Sequence, residues 1–99
     1  VDDNEVPDRF SLGYNYPNPF NPVTKIYYRV ENKEYLKLNI FDLKGFHIKS
    51  LVNSYVDEGF HQIEWDATNK FGQRVAAGVY IYTIDVGGIR TSRKMLLLK

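Results

Sequence analysis

The feature that most constrains this chain is period-two alternation with no competing helical period. Over Thr24–Val30, Ile26, Tyr28 and Val30 share one phase, and Lys25, Tyr27 and Arg29 share the other. Over Tyr35–Phe41, Leu36, Leu38 and Ile40 alternate with Lys37 and Asn39. Successive strand side chains point to opposite faces, so each run predicts a strand with one buried face. Apolar residues nowhere recur at helical spacing over the length of a helix. The fold class is therefore all-β.

The rest of the chain supplies more strands and the punctuation between them. Phe10–Tyr16 reads as a short edge strand. Glu31–Glu34 is a polar turn, which predicts that the strands on either side of it pair as a hairpin. Asp42-Leu43-Lys44-Gly45 has the Asp and Gly of a type I turn. Phe46–Val52 is the next strand, and Asn53-Ser54 and Asp57-Glu58-Gly59 interrupt the chain after it. Phe60–Trp65 follows, then a polar loop with a short strand expected near Arg74–Ala76. Gly78 opens Val79–Val86, the most strand-like segment. Gly87-Gly88 then predicts a two-residue hairpin into Ile89–Leu98. Its register sets Asp85 against Arg90, Tyr82 against Arg93 with the cation over the ring, and Tyr80 against Met95. About seven short strands with turns roughly every eight to twelve residues make an antiparallel β-sandwich. Trp65, the only tryptophan, closes an alternating run and is the expected core anchor.

Pro17-Asn18-Pro19-Phe20-Asn21-Pro22 fits neither a helix nor an interior strand, because proline fixes φ and removes a donor. It predicts a rigid extended clip with Phe20, its one apolar side chain, plugged into the domain. Val1–Arg9 is acidic, aperiodic and contains Pro7; it reads as a linker. The chain has no initiator Met and reads as a piece of a longer protein, with the domain proper at 10–99.

Composition narrows function mainly by exclusion. A net charge of +1 offers no electrostatic case for nucleic acid. There is no cysteine, hence no disulfide framework or Cys-based zinc site. No apolar run reaches the length that crosses a membrane as a helix. His47 and His61 fall on different strands without companions at metal spacing. Asp66, Asn69 and Gly72 share a loop, but such residues more often serve turn hydrogen bonds than calcium. Glu58 and Glu64 are expected as solvated turn and strand residues rather than paired catalytic carboxylates. The residues thus predict a non-enzyme with no cofactor, no metal and no small-molecule substrate. Eight Tyr and six Phe raise a carbohydrate-stacking surface as an alternative, although Tyr28, Tyr80, Tyr82 and Trp65 lie on apolar phases and read as core. Met95-Leu96-Leu97-Leu98, bracketed by Lys94 and Lys99, reads either as a strand buried on both faces or as a strand offered to a partner by strand addition.

Several motifs resemble, in order, the C-terminal sorting domains of the type IX secretion system. They are Leu12–Pro22 with Thr24-Lys25-Ile26, Ile40–Gly45, Gly59–Asp66, Gly72, Gly78-Val79-Tyr80 and Lys94–Lys99. The resemblance covers Phe10–Lys99. Its middle part is shared with a wider Ig-like group that includes the Ig-like domain of the flagellar hook-capping protein. One departure is Ala67, where the family often has Gly after Trp-Asp. The resemblance implies an Ig-like sandwich on a secreted or cell-surface protein that passes through the periplasm. It implies a signal that directs an upstream cargo across the outer membrane, with cleavage by a sortase-like surface peptidase near Val1–Arg9. The implied partners are the outer-membrane translocation machinery and that peptidase. The sorting signal would reside in Gly78, Tyr80, Lys94, Met95, Leu96, Leu97, Leu98 and Lys99. Pro17, Pro19, Phe20, Pro22, Trp65, Asp66 and Gly72 would be structural. A structural Ig-like interaction module is the other alternative.

Overall fold

The computed structural model describes residues 9–99. The segment read as a linker, with its implied cleavage site, lies outside the described residues apart from Arg9. That residue is tied to the domain: its guanidinium donates to both Glu34 carboxylate oxygens at 3.1 and 2.7 Å.

Seven strands form two antiparallel sheets. They are β1 (Phe10–Tyr16), β2 (Thr24–Val30), β3 (Glu34–Asp42), β4 (His47–Val56), β5 (Gly59–Trp65), β6 (Gly78–Val86) and β7 (Ile89–Leu97). The three-stranded sheet has the order β1-β2-β5, and the four-stranded sheet β4-β3-β6-β7. The all-β sandwich expected from the alternation is the architecture observed. The inward phases are the predicted ones: Ile26, Tyr28 and Val30 from β2, Leu36, Leu38 and Ile40 from β3, Tyr82, Ile84 and Val86 from β6.

One pairing differs. β2 and β3 do not form a hairpin; β2 pairs with β1 and β5, and β3 with β4 and β6. The polar turn after Val30 carries the chain from one sheet to the other. Both strands have one fully apolar face, and apposing those faces across the sandwich buries more apolar surface than placing them side by side. Alternation specifies which face is inward but not which strand is the neighbour. β4 is also longer than expected. Asn53 and Ser54 lie within it, paired with Lys37 and Leu36, because an edge strand with one solvated side tolerates polar residues. Register shifts between Leu38/Asn39 and Ile40/Phe41 bulge this edge, a common way of blunting it. No strand forms near Arg74–Ala76; an isolated bridge joins Thr68 to Arg74 instead.

The β6–β7 hairpin has the expected register, with Asp85 opposite Arg90, Tyr82 opposite Arg93 and Tyr80 opposite Met95. Gly87 and Gly88 both have positive φ, +57° and +85°, as the tight turn requires. Arg90 meets Asp85 at 2.9 Å. Arg93, however, does not stack on Tyr82. Tyr82 is wholly buried, and Arg93 reaches across to β1, where its guanidinium lies 4.0 Å from the Tyr14 ring centre and its Nε donates to Leu12 O at 2.8 Å.

A bulge at Gly13–Tyr14 in β1 links the two sheets. Gly13 packs so closely on β2 that an added Cβ would stand 3.0 Å from Tyr27 O. Its carbonyl accepts the Tyr82 hydroxyl at 2.8 Å, which satisfies the one polar atom of the largest buried side chain of β6. Burial pushes the Tyr82 hydroxyl up to about 12, and burial likewise raises Tyr28. A phenol whose pKa is raised by folding stabilises fully below its unfolded value of about 10 and loses that contribution as pH rises toward 12. Alkaline titration followed by near-UV circular dichroism is therefore expected to show stability falling between pH 10 and 12. Tyr82→Phe should flatten that fall, while costing about 1 kcal/mol at neutral pH for the unpaired Gly13 carbonyl.

Candidate functional site

The residues singled out by sequence converge on one end of the sandwich. Gly78 lies directly opposite Leu97 in the β6–β7 register, with φ at +148°. Two residues on, Tyr80 packs edge-on against Trp65 with ring centres 5.4 Å apart, and its hydroxyl donates to Ala76 O at 2.6 Å. Trp65 is fully buried and donates from Nε1 to Thr68 O at 2.9 Å. On its other side lies Phe20, 5.8 Å away and 1% exposed. Phe20, Trp65 and Tyr80 thus form an aromatic column between clip, loop and β6.

The clip is a series of bends around a single extended residue, Phe20, rather than extended throughout. Its entry is pinned by Thr24, whose hydroxyl donates to Pro17 O at 2.8 Å and accepts from Asn15 Nδ2 at 3.0 Å. Pro17, Pro19 and Pro22 lack amide donors, so the clip's only backbone donors are those of Asn18, Phe20 and Asn21. Phe20 uses its backbone on β7: its N–H donates to Leu96 O at 3.0 Å, and its O accepts from Leu98 N at 2.8 Å. Asn18 Oδ1 accepts from Leu96 N at 3.0 Å, and Asn21 Nδ2 donates to Lys99 O at 2.8 Å. Four hydrogen bonds therefore occupy the outer edge of Leu96–Lys99. The two asparagines were not singled out by sequence reasoning. Beside proline they read as conformational residues, yet their amides stand in for strand partners on either side of Phe20.

The run Lys94–Lys99 is accordingly not buried on both faces. β7 is the last strand of its sheet, and it alternates. Met95 and Leu97 are buried, while Leu96 and Leu98 are 37% and 47% exposed, with Lys94 and Lys99 also exposed. Leu97, Leu98 and Lys99 line one wall of a shallow cleft of about 390 Å3, closed on the other sides by Asn21-Pro22 and Arg74–Ala77.

The loop after Trp65 holds this end in place. Asp66 Oδ1 accepts from Thr68 N at 3.2 Å, and the Thr68 hydroxyl bond, helped by the charge of Lys49 at 3.9 Å, holds the Asp66 carboxyl below its usual range. Asn69 Oδ1 accepts from Phe71 N and Gln73 N at 2.9 and 3.0 Å, and Gly72 N bonds Asn69 O at 3.0 Å. These oxygens are spent on the turn. Ala67, where glycine was the expectation, has φ +63°. The left-handed turn is kept at a strain cost of about 1 kcal/mol. The histidines remain apart: His47 bonds Asn39 Oδ1 at 2.9 Å and His61 bonds Asp57 O at 2.6 Å.

The family model described as the FlgD Ig-like domain matches residues 22–89. No curated protein matches the chain. Among solved structures, dimeric latent PorU from Porphyromonas gingivalis superposes with a TM-score of 0.74 at 24% identity over 99% of this chain and 10% of that one. PorZ, an essential bacterial surface component of the type-IX secretion system of Porphyromonas gingivalis, superposes at 0.63 with 20% identity, over 87% of this chain and 11% of that one. FlgD from Xanthomonas campestris, a protein of the hook capping essential for flagellar assembly, gives 0.60 at 22% identity, over 92% of this chain and 63% of that one. The chain thus spans about a tenth of the length of the first two.

The clip predicts a graded exchange experiment. Asn18→Ala should cost about 1 kcal/mol and speed exchange of the Leu96 amide, leaving that of Thr83 unchanged. Phe20→Ala should cost about 3–5 kcal/mol and speed both Leu96 and Leu98. Native-state hydrogen exchange by NMR with urea unfolding reads both quantities.

Proposed function

This chain belongs to the FlgD Ig-like domain family, and on that premise we propose that it is a non-enzymatic sorting module. Its outward-facing β7 row would be read by the type IX secretion machinery. The observation that carries the reading is the division of Lys94–Lys99 into two rows. Met95 and Leu97 belong to the core, whereas Lys94, Leu96, Leu98 and Lys99 are exposed. Apolar side chains held outward on a folded strand, between lysines, suit recognition by a partner.

The fold likeness to PorU and PorZ supports the same reading, as does the resemblance of the clip and terminal motifs to sorting domains. On this reading an upstream cargo in the same protein is carried to the cell surface, and the surface peptidase acts before the sandwich. The partner reads side chains and the cleft beside them. Strand addition at Leu96–Lys99 would first require Phe20 to leave. The second reading, a structural Ig-like interaction module, is favoured by the family match and by the likeness to FlgD. A sugar platform built on Tyr28, Tyr80, Tyr82 or Trp65 has no support, since all four are buried.

Deleting Lys94–Lys99 would remove core residues together with the outward row and so confound folding with recognition. The sharper experiment fuses a reporter ahead of the domain and compares L96S/L98S with M95A in a host that has the secretion system. L96S/L98S is expected to retain the reporter in the periplasm while the purified domain melts within a few degrees of the parent. M95A is expected to lower the melting temperature, by an amount equivalent to about 2–5 kcal/mol. Normal surface display of the L96S/L98S fusion would overturn the sorting reading and favour the structural module.

A further inference from the structure

Two loops at the clip end hold large apolar side chains out into solvent. In the β3–β4 turn, Leu43 and Phe46 are 64% and 66% exposed; in the loop after Trp65, Phe71 is 75% exposed. The second loop is tied to the strand that follows the first: Lys70 N donates to Ile48 O, at the start of β4, at 2.9 Å. Both loops are rigid. Asp42 Oδ1 accepts from Lys44 N and Phe46 N, each at 2.9 Å, and Asn69 Oδ1 braces the second loop as described. Each apolar apex has a cation beside it: Lys44 adjoins Leu43, and Lys70 lies 5.8 Å from the Phe71 ring centre. Arg74 is exposed nearby. Among the described residues these three cations form no ion pair. The acids at this end, Asp42, Glu64 and Asp66, are outnumbered by Lys25, Lys44, Lys49, Lys70 and Arg74.

The geometry points to this end as a docking surface for an anionic lipid bilayer, and we propose that Leu43, Phe46 and Phe71 enter the acyl boundary while Lys44, Lys70 and Arg74 meet the headgroups. Phe46 and Phe71 project from loop tips, a shape that suits insertion into a deformable plane. Pre-bracing of both loops removes most of the ordering cost of insertion. Basic residues flanking apolar ones supply the two attractions that interfacial binding combines. The opposite end shows the contrast. Phe60 is 87% exposed there, but it follows Asp57 and Glu58, and the cation opposite it, Arg29, is paired with Glu31 at 2.7 Å. The inference does not rest on the sorting reading, since it concerns other side chains and another partner.

Co-sedimentation of the 99-residue chain with phosphatidylcholine vesicles, with and without phosphatidylglycerol, tests it. The expected result is partition into the phosphatidylglycerol vesicles only, weakened by high salt. K44E/K70E should lower partition by at least about fivefold for each charge removed. F46S/F71S should lower it about tenfold or more, and F60S should leave it unchanged. All the altered residues are exposed, and thermal melts would check that the variants remain folded. Absence of partition, equal partition into neutral vesicles, or an F60S loss equal to that of F46S/F71S would overturn the proposal. Capture by polyglutamate beads without vesicle binding would also overturn it, in favour of an acidic protein partner.

Discussion

The structure depends most on a single residue's double use of its backbone and side chain. Phe20 inserts its ring beside Trp65 while its N–H and C=O bond to either side of Leu97 on the outer edge of β7. An edge strand exposes unpaired donors and acceptors that invite another chain. Here the apolar end of that edge is closed by a segment that cannot itself become a strand, since prolines flank the one bridging residue and limit pairing to it. The ring and the bridge support one another. The buried ring fixes where the backbone lies, and the bridge keeps the ring from leaving the aromatic column that joins Trp65 to Tyr80.

Much of this was legible in the sequence because it rests on local chemistry. Alternation in Thr24–Val30 and Tyr35–Phe41 identifies inward residues without knowledge of neighbours, and the Gly87-Gly88 pair fixes the last register because only a short turn of positive φ fits between those runs. Phe20 was legible as a plug because it is the one apolar side chain in a proline-rich stretch. Strand neighbours were not legible. Glu31–Glu34 serves a hairpin and a sheet-to-sheet crossing equally well, and what decides between them is the burial of both apolar faces, a property of the assembled sandwich. Arg93 gave the same difficulty. Its opposite residue was read correctly, but the ring it stacks on lies on β1, some eighty positions away, where only the tertiary fold brings Tyr14 beneath it. Asn18 and Asn21 carried a weak signal, two amides flanking one apolar residue, which acquires meaning only once the edge beside them is known.

The family match adds a division within the chain. Residues 22–89 match the FlgD Ig-like model; these include β2 to β6, which supply most of the core, while Leu12, Phe20, Met95 and Leu97 of the core lie outside. The clip residues Pro17–Asn21 and nearly all of β7 fall outside it. Those two segments are also the ones that bond to each other at Leu96–Lys99. The solved PorU and FlgD structures superpose over 99% and 92% of this chain, so the shared sandwich extends past the matched region, and the contacts that close the outer edge of Leu96–Lys99 are concentrated in the clip.

That concentration constrains how a partner can engage the terminal strand. Recognition by strand addition needs free backbone groups, and at Leu96 and Leu98 they are taken by Asn18 and Phe20. Freeing them would expose Phe20 and unstack Trp65, a cost comparable with removing a large core side chain, about 3–5 kcal/mol. That is a substantial share of the 5–15 kcal/mol that holds a small domain folded. Recognition through side chains has no such cost, because Lys94, Leu96, Leu98 and Lys99 already face outward. Under the proposed sorting reading, the clip separates the backbone of this strand from its outward side chains. It satisfies the backbone of β7 within the domain, so that its outer row is presented without also offering an edge to any passing strand.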